Sequence, residues 1–367
     1  MKVTAAILWE RGKPLSVEEA ELDPPGPGEV LVEVKAAGVC HSDLHPARDD
    51  WPIRTPVVLG HEGAGIVRET GPDVTALKAG DRVVFCWAPA CGVCPACREG
   101  RAVLCDRLDQ TTYRNRLPSG TTRLHARGQP LAHFLGTACF ADYVVVPEEG
   151  AVSVDDDVAF DALAMLGCAV VTGVGAVMTA AAVPRGASVV VVGAGGVGLN
   201  VAQAARIAGC ERVIAVDTRR PPLEIARAFG ATDVVDLASN KLADAVRELT
   251  NGRGADFVFD TVGTPSTLSD AIAAARKGGT VVLTGLSRID AVGSIPMFPL
   301  VMQEKRLVGS VYGSGRPSAD IRRLLGWYKD GRLKLKELVT RTYRLNEIND
   351  ALDALGAGRG ARGVVLR

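Results

Sequence analysis

Four cysteines crowd one short stretch, Cys91-x-x-Cys94-x-x-Cys97 followed by Cys105, and thiolates at that spacing can close a tetrahedral zinc site. Such a metal would contribute folding free energy to a lobe that lacks an apolar core, and it need not touch chemistry. An iron–sulfur cluster or a redox dithiol competes for the same residues, although the spacing differs from the usual ferredoxin runs. A second group joins Cys40, in Gly38-Val-Cys-His-Ser-Asp43, to His61 and Glu62, in Gly60-His-Glu-Gly-Ala-Gly65. Each half is ambiguous alone, because a single Cys or His is more often packed in a core. Together a thiolate, an imidazole and a carboxylate beside turn glycines suit an open zinc site. The third group is the run Val189-Val-Val-Val-Gly193-Ala-Gly195-Gly196-Val197-Gly198. Gly193 permits the turn, Gly195 lets the backbone approach a pyrophosphate, Gly198 allows close helix packing, and the following helix offers its N-terminus to the anion. Asp217 closes the next strand, where a carboxylate accepts the ribose hydroxyls of NAD and repels a 2′-phosphate. Arg219 and Arg220 pull the other way, so NADP stays open as the alternative.

The elements that must position these groups follow from the hydrophobic pattern. Up to about residue 150, short β-branched runs at Glu29–Val34, Gly65–Glu69 and Arg82–Phe85 are separated by Pro and Gly turns, which reads as a mostly β domain. Beyond Leu163 the runs Ser188–Val192, Val213–Asp217, Phe257–Asp260 and Thr280–Thr284 alternate with helical stretches. That order predicts a parallel sheet covered by helices on both faces. The run Arg306–Val311 can close the sheet. An amphipathic stretch at Ile321–Tyr328, a helix at Leu345–Leu355 and a last strand at Val364–Leu366 return to the first domain. The fold class is therefore α/β, with a catalytic domain over 1–169, a doubly wound cofactor domain over 170–312, and the rest of the catalytic domain over 313–367.

Composition narrows the partners. The 367 residues are 47% hydrophobic, and 42 Lys plus Arg balance 42 Asp plus Glu, so no net field favours nucleic acid or an anionic membrane. A small neutral substrate fits better. Nine cysteines point to metal rather than disulfides in a cytosolic chain, the compartment suggested by an N-terminus too weakly apolar for a secretory signal. Ala162–Val183 carries no charge and is long enough to span a bilayer. Its Gly and Thr residues and the Pro184 stop suit a buried segment instead.

Taken together, these residues resemble the zinc-containing medium-chain alcohol dehydrogenases. The pattern Gly60-His-Glu-x-x-Gly65, continuing to Gly71 and Val74, matches that family's signature, and the likeness runs through essentially the whole chain. The resemblance implies a GroES-like catalytic domain joined to a Rossmann domain, two zinc ions per chain and NAD, with hydride moving between an alcohol and an aldehyde or ketone. Cys40, His61 and Cys168 would hold the catalytic zinc with Glu62 adjacent. Asp43 would orient His61, while Ser42 and His45 match the positions of a proton relay. His41 and Arg362 would meet the cofactor pyrophosphate, and Thr172 and Val197 would pack near the nicotinamide. Trp87, Phe134 and Leu286 are candidate pocket walls. The stretch Leu117–Gly136 is similar to the insert of the longer class I and class III members, which implies a homodimer through the Arg306–Val311 edge rather than a tetramer. Ser42, in place of the threonine usual in class III, points away from a glutathione adduct and toward bulkier or secondary alcohols. Two rival readings are an NADPH-linked reductase on the same scaffold, opposed by Asp217, and a non-catalytic nucleotide-binding redox sensor, which has no use for an open zinc site.

Overall fold

The computed structural model describes residues 1–154 and 157–367. The chain divides into two compact units: Met1–Cys168 with Arg316–Asp330 and Leu335–Arg367, and Ala169–Gly315 with Gly331–Lys334.

In the first unit, strands Lys2–Leu8, Ser16–Leu22, Leu124–Ala126, Gln129–His133 and Val57–Val58 close a barrel. The insert-like stretch thus has structural work, because two of its segments complete that barrel and leave no open edge there. A larger sheet runs Ala151–Ser153, Arg82–Phe85, Glu62–Thr70, Glu29–Val39, Arg362–Leu366 and Val339–Tyr343, with Tyr143–Pro147 also pairing Glu29–Val39. Glu29–Val39 is buried along almost its whole length. A strand covered on both faces reads as continuously apolar, which is why EVLVEVKAAGV alternates so weakly. Its register fixes the site. Gly38 lies opposite Glu62 and Val39 opposite Gly363, so the residues at that end of three strands converge where Cys40 follows.

The second unit holds six parallel strands in the order Asp233–Asp236, Arg212–Asp217, Ser188–Val192, Ala255–Asp260, Ala275–Leu283, Arg306–Gly309. By sequence that order is 3-2-1-4-5-6, the doubly wound arrangement whose reversal point lies between the first and fourth strands. Val189 to Val192 are almost wholly buried, each worth roughly 1.5–3 kcal/mol before the entropy of ordering the chain. The strand Asp233–Asp236 has only two apolar residues, too short a run to announce itself.

One helix, Phe160–Ala180, is long and apolar enough to cross a membrane, and 89% of its most apolar window is buried inside the protein. Its small residues serve close packing: a Cβ on Gly167 would sit 2.9 Å from the Phe85 carbonyl oxygen. The helix widens to a π turn over Leu166–Val170, and Cys168 lies in that turn. Insertions of this kind re-aim side chains.

Candidate active site

Cys40 caps the helix His41–Ala47. The Asp43 carboxylate, fully buried, ties the entry together: Oδ2 accepts the Cys40 amide at 3.1 Å, while Oδ1 accepts the Gly60 amide at 3.0 Å and faces His61 Nδ1 at 3.0 Å. A carboxylate only accepts, so Nδ1 carries the proton and Nε2 is left as a lone-pair donor. That Nε2 is buried without a partner, as is Glu62 Oε2. Cys168 arrives on the π turn. One ligand atom from each of Cys40, His61, Glu62 and Cys168 lies within 4.8 Å of the others, and all four residues are buried. Zn–S and Zn–N bonds of about 2.0–2.3 Å place ligand atoms within this spread. The orphaned imidazole nitrogen and the two thiols therefore fit a zinc ion.

Packed this closely, the four groups shift one another's proton affinities. A hydrogen bond from Cys168, with Arg362 and His61 nearby, holds the Cys40 thiol well below its ordinary range. The partner thiol of that bond, Cys168, is pushed well up by Cys40 and by burial. Burial drives the Glu62 carboxyl up to about 8 against the pull of Arg362. For His61, burial opposes the charged ring, but Asp43 outweighs it and raises the imidazole well above its usual value. Glu62 can lie this deep because its neighbour opposite is glycine: a Cβ on Gly38 would sit 2.3 Å from Glu62 Oε2.

Arg362 joins the inner cluster. Expected at the cofactor pyrophosphate, it is buried with Nη2 donating to Glu62 Oε1 at 2.6 Å and Nη1 donating to the Val39 carbonyl at 3.0 Å. The physical reason is register, since its strand pairs with Glu29–Val39 beside Cys40. Asp50 and Trp51 escaped the sequence reading. Asp50 Oδ2 lies 3.1 Å from His45 Nδ1, and the Trp51 ring stacks on the imidazole at 4.6 Å. Ser42 Oγ lies 3.9 Å from Cys40 Sγ. Among the proposed walls, Phe134 meets the His61 ring edge-on at 5.8 Å and Trp87 is buried against Tyr113, both in the first unit. Leu286 is exposed on the second.

The four-cysteine lobe is built differently. Cys91, Cys94, Cys97 and Cys105 also gather their sulfurs within 4.8 Å, but only Cys105 is buried. The Cys91 amide donates to Cys105 Sγ at 3.2 Å, and the Cys94 amide to Cys91 Sγ at 3.4 Å. Amides of Val93 and Cys94 draw the Cys91 thiol down to about 6, while burial and the Cys94 thiol push Cys97 up to about 12. Four thiols with amide donors are a tetrahedral zinc cradle.

In the second unit the glycine turn has the geometry of a phosphate cradle. Gly193 has φ +93°, and a Cβ on Gly198 would sit 1.9 Å from the Gly193 carbonyl oxygen. Gly195, which caps the helix Gly196–Ile207, faces open space. Val197 is half-buried in that helix's first turn, and Thr172 is buried in the preceding one. His41 is exposed at the start of its own helix. Asp217 accepts the Ala194 amide through Oδ2 at 3.0 Å and the Arg219 amide through Oδ1 at 3.0 Å. Thr261 braces the turn, with Oγ1 donating to the Gly193 carbonyl at 3.0 Å, and Asp260 holds the loop that follows it by accepting the Val262 and Gly263 amides, each at 3.0 Å.

A doubly wound nucleotide unit and a barrel unit with two zinc-ready clusters in one chain define a zinc-binding dehydrogenase. Residues 26–156 match the alcohol dehydrogenase GroES-like domain, and 196–330 match the zinc-binding dehydrogenase domain. The chain is 40% identical to the NDMA-dependent alcohol dehydrogenase of Amycolatopsis methanolica, covering 100% of this chain and 99% of that one. With the S-(hydroxymethyl)glutathione dehydrogenase of Paracoccus denitrificans it shares 36% over the full length of both. The crystal structure of benzyl alcohol dehydrogenase from Acinetobacter calcoaceticus superposes with a TM-score of 0.94 at 31% identity, covering 100% of this chain and 99% of that one. The chain belongs to the zinc-containing medium-chain alcohol dehydrogenase family. It is an oxidoreductase that acts on alcohols.

Proposed function

We propose that the chain oxidises small alcohols reversibly with NAD, using Cys40, His61 and Cys168 as catalytic zinc ligands with Glu62 beside them. Zinc there would act as a Lewis acid on the substrate oxygen and lower the alcohol's pKa, and NAD would accept the hydride. The protein's own contribution is positioning. Asp43 fixes the His61 tautomer and the Cys40 backbone at once, and Arg362 holds the Glu62 carboxyl in place by donating to Oε1. Ser42 and His45 would carry the alcohol proton outward; Asp50, by accepting a hydrogen bond from His45 Nδ1–H, would hold the ring in one tautomer. The outer lobe, Cys91 to Cys105, would hold the second zinc. Homodimerisation through Arg306–Gly309 is supported by its place at the sheet edge and by exposed Met297, Phe298, Val301 and Met302 just before it.

The observation that carries NAD is the Asp217 carboxylate, almost buried and held by the amide inside the glycine turn. A 2′-phosphate about 4 Å away would cost about 1–4 kcal/mol, a factor of about five or more. Arg219 Nε, 3.3 Å from the same carboxylate, favours the second reading, use of NADP. The deciding experiment is kcat/KM for an alcohol panel with each cofactor. NAD preferred by more than ~10-fold supports Asp217 as discriminator; equal efficiencies overturn it.

A further inference from the structure

The second unit carries a groove of about 430 Å³ lined by Gln203, Arg206, Phe229, Arg332 and Lys334, with Ile207, Ala228, Gly230 and Gly331. It lies at the C-terminal end of the helix Gly196–Ile207, away from the glycine turn at that helix's N-terminus. Three cations line it and no carboxylate does, in a chain whose charges balance overall. Neither Arg206 nor Lys334 pairs with a carboxylate within 4.0 Å among the described residues.

These cations are held, not loose. Gln203 is buried, and it grips the segment that supplies two of them: Oε1 accepts the Lys334 amide at 2.9 Å and Nε2 donates to the Lys334 carbonyl at 3.2 Å. Lys334 Nζ donates to the Ala228 carbonyl at 2.6 Å and lies 5.9 Å from the Phe229 ring centroid. Arg206 Nη1 donates to the Cys210 carbonyl at 2.9 Å. Its stem fills the space where Gly230, at φ +101°, has no Cβ. Helix-end carbonyls thus take one N–H from Arg206 and one from Lys334. An arginine has five such donors and a lysine three, so anchoring fixes the groups without exhausting them. Two fixed cations without a carboxylate partner, Arg206 and Lys334, on a concave surface are what a phosphate dianion needs, since little side-chain entropy is then lost on binding.

We infer that this groove is a second ligand site, remote from the glycine turn, that takes a phosphate dianion, either free or as the monoester of a small molecule. Inorganic phosphate and glycerol 2-phosphate would be titrated calorimetrically into the full zinc-loaded chain, with the cofactor that supports turnover in excess so that the glycine turn is filled. Sodium chloride would hold ionic strength constant. Wild type should bind at least one of the two saturably. Arg206→Gln with Lys334→Gln should weaken that binding more than ~5-fold while alcohol turnover stays within twofold, and Lys241→Gln with Arg253→Gln should change neither. Tighter binding of the ester assigns the ester, and tighter binding of the ion assigns free phosphate. Absence of saturable binding, or equal binding by wild type and the Arg206/Lys334 variant, would overturn the site. A lower melting temperature with unchanged binding would mean that the two cations serve only the helix ends, which overturns it equally.

Discussion

Two clusters of soft ligands in one unit are built on opposite principles. The outer lobe takes its four thiols from a single stretch of fifteen residues, Cys91 to Cys105, leaves three of them partly exposed, and has Val93 and Leu104 open to solvent. The inner cluster draws Cys40, His61, Glu62 and Cys168 from three separate segments and buries all of them. Where ligands are local, the metal substitutes for a core that the segment lacks. Where they are distant, the core exists already, and the fold delivers the ligands as pre-oriented groups around an open position.

The comparison predicts opposite failures. Cys168→Ala should leave circular dichroism and melting close to wild type while lowering turnover by ~10³-fold or more, because a Lewis acid supplies several kcal/mol to such a reaction; a melting loss as large as the activity loss would erase the distinction. Cys94→Ala should do the reverse, lowering the melting temperature by several degrees and promoting aggregation, since ligand binding there supplies folding free energy. An unchanged transition would remove the metal's structural role. Asp43→Asn keeps the shape but weakens the anchor on His61 Nδ1, and loss of such a partner typically costs ~10–100-fold in metal affinity or activity. Chelator competition measures it, and wild-type affinity would count against the anchor.

Smaller effects sharpen the chemistry around the inner cluster. His45→Gln should slow alcohol oxidation by about tenfold near neutral pH and less at alkaline pH, where hydroxide takes the proton directly. Superimposed pH–rate profiles, with a substrate whose chemical step limits the rate, would exclude the relay. His133 gives a stability signature. Burial, then the charges of Arg123 and His125, lower its imidazole to about 3, so the folded state keeps it neutral while the unfolded chain protonates it below about 6.5. Its contribution is therefore complete above about 6.5 and is lost as pH falls toward about 3, at up to ~1.4 kcal/mol per pH unit. Denaturant midpoints for His133→Gln should fall less steeply between pH 7 and 4.5 than those of wild type. Parallel slopes would assign the acid sensitivity elsewhere.

What the sequence revealed follows the same division. The outer lobe and the glycine turn were legible because their residues are consecutive and spacing alone encodes geometry. The strands Ser188–Val192 and Arg82–Phe85 were legible because their apolar runs are dense. Cys168 came only from resemblance, since nothing in a charge-free helix marks one cysteine as a ligand. The contact of Arg362 with Glu62 went unseen because it depends on the register of its strand against Glu29–Val39, a pairing across more than 300 residues that no local pattern records. Asp50 drew no notice, the commonest fate of an aspartate in a loop, and Asp260 was read only as the end of the strand Phe257–Asp260.

The central claim is that the two clusters hold separate zinc ions with separate duties. Zinc per chain, measured by mass spectrometry on desalted wild type, Cys168→Ala and Cys94→Ala, tests it directly. The account predicts about two ions in wild type and about one in each variant, with the Cys168→Ala protein folded and inactive. One ion in wild type, or two retained in an inactive Cys168→Ala protein, would contradict it.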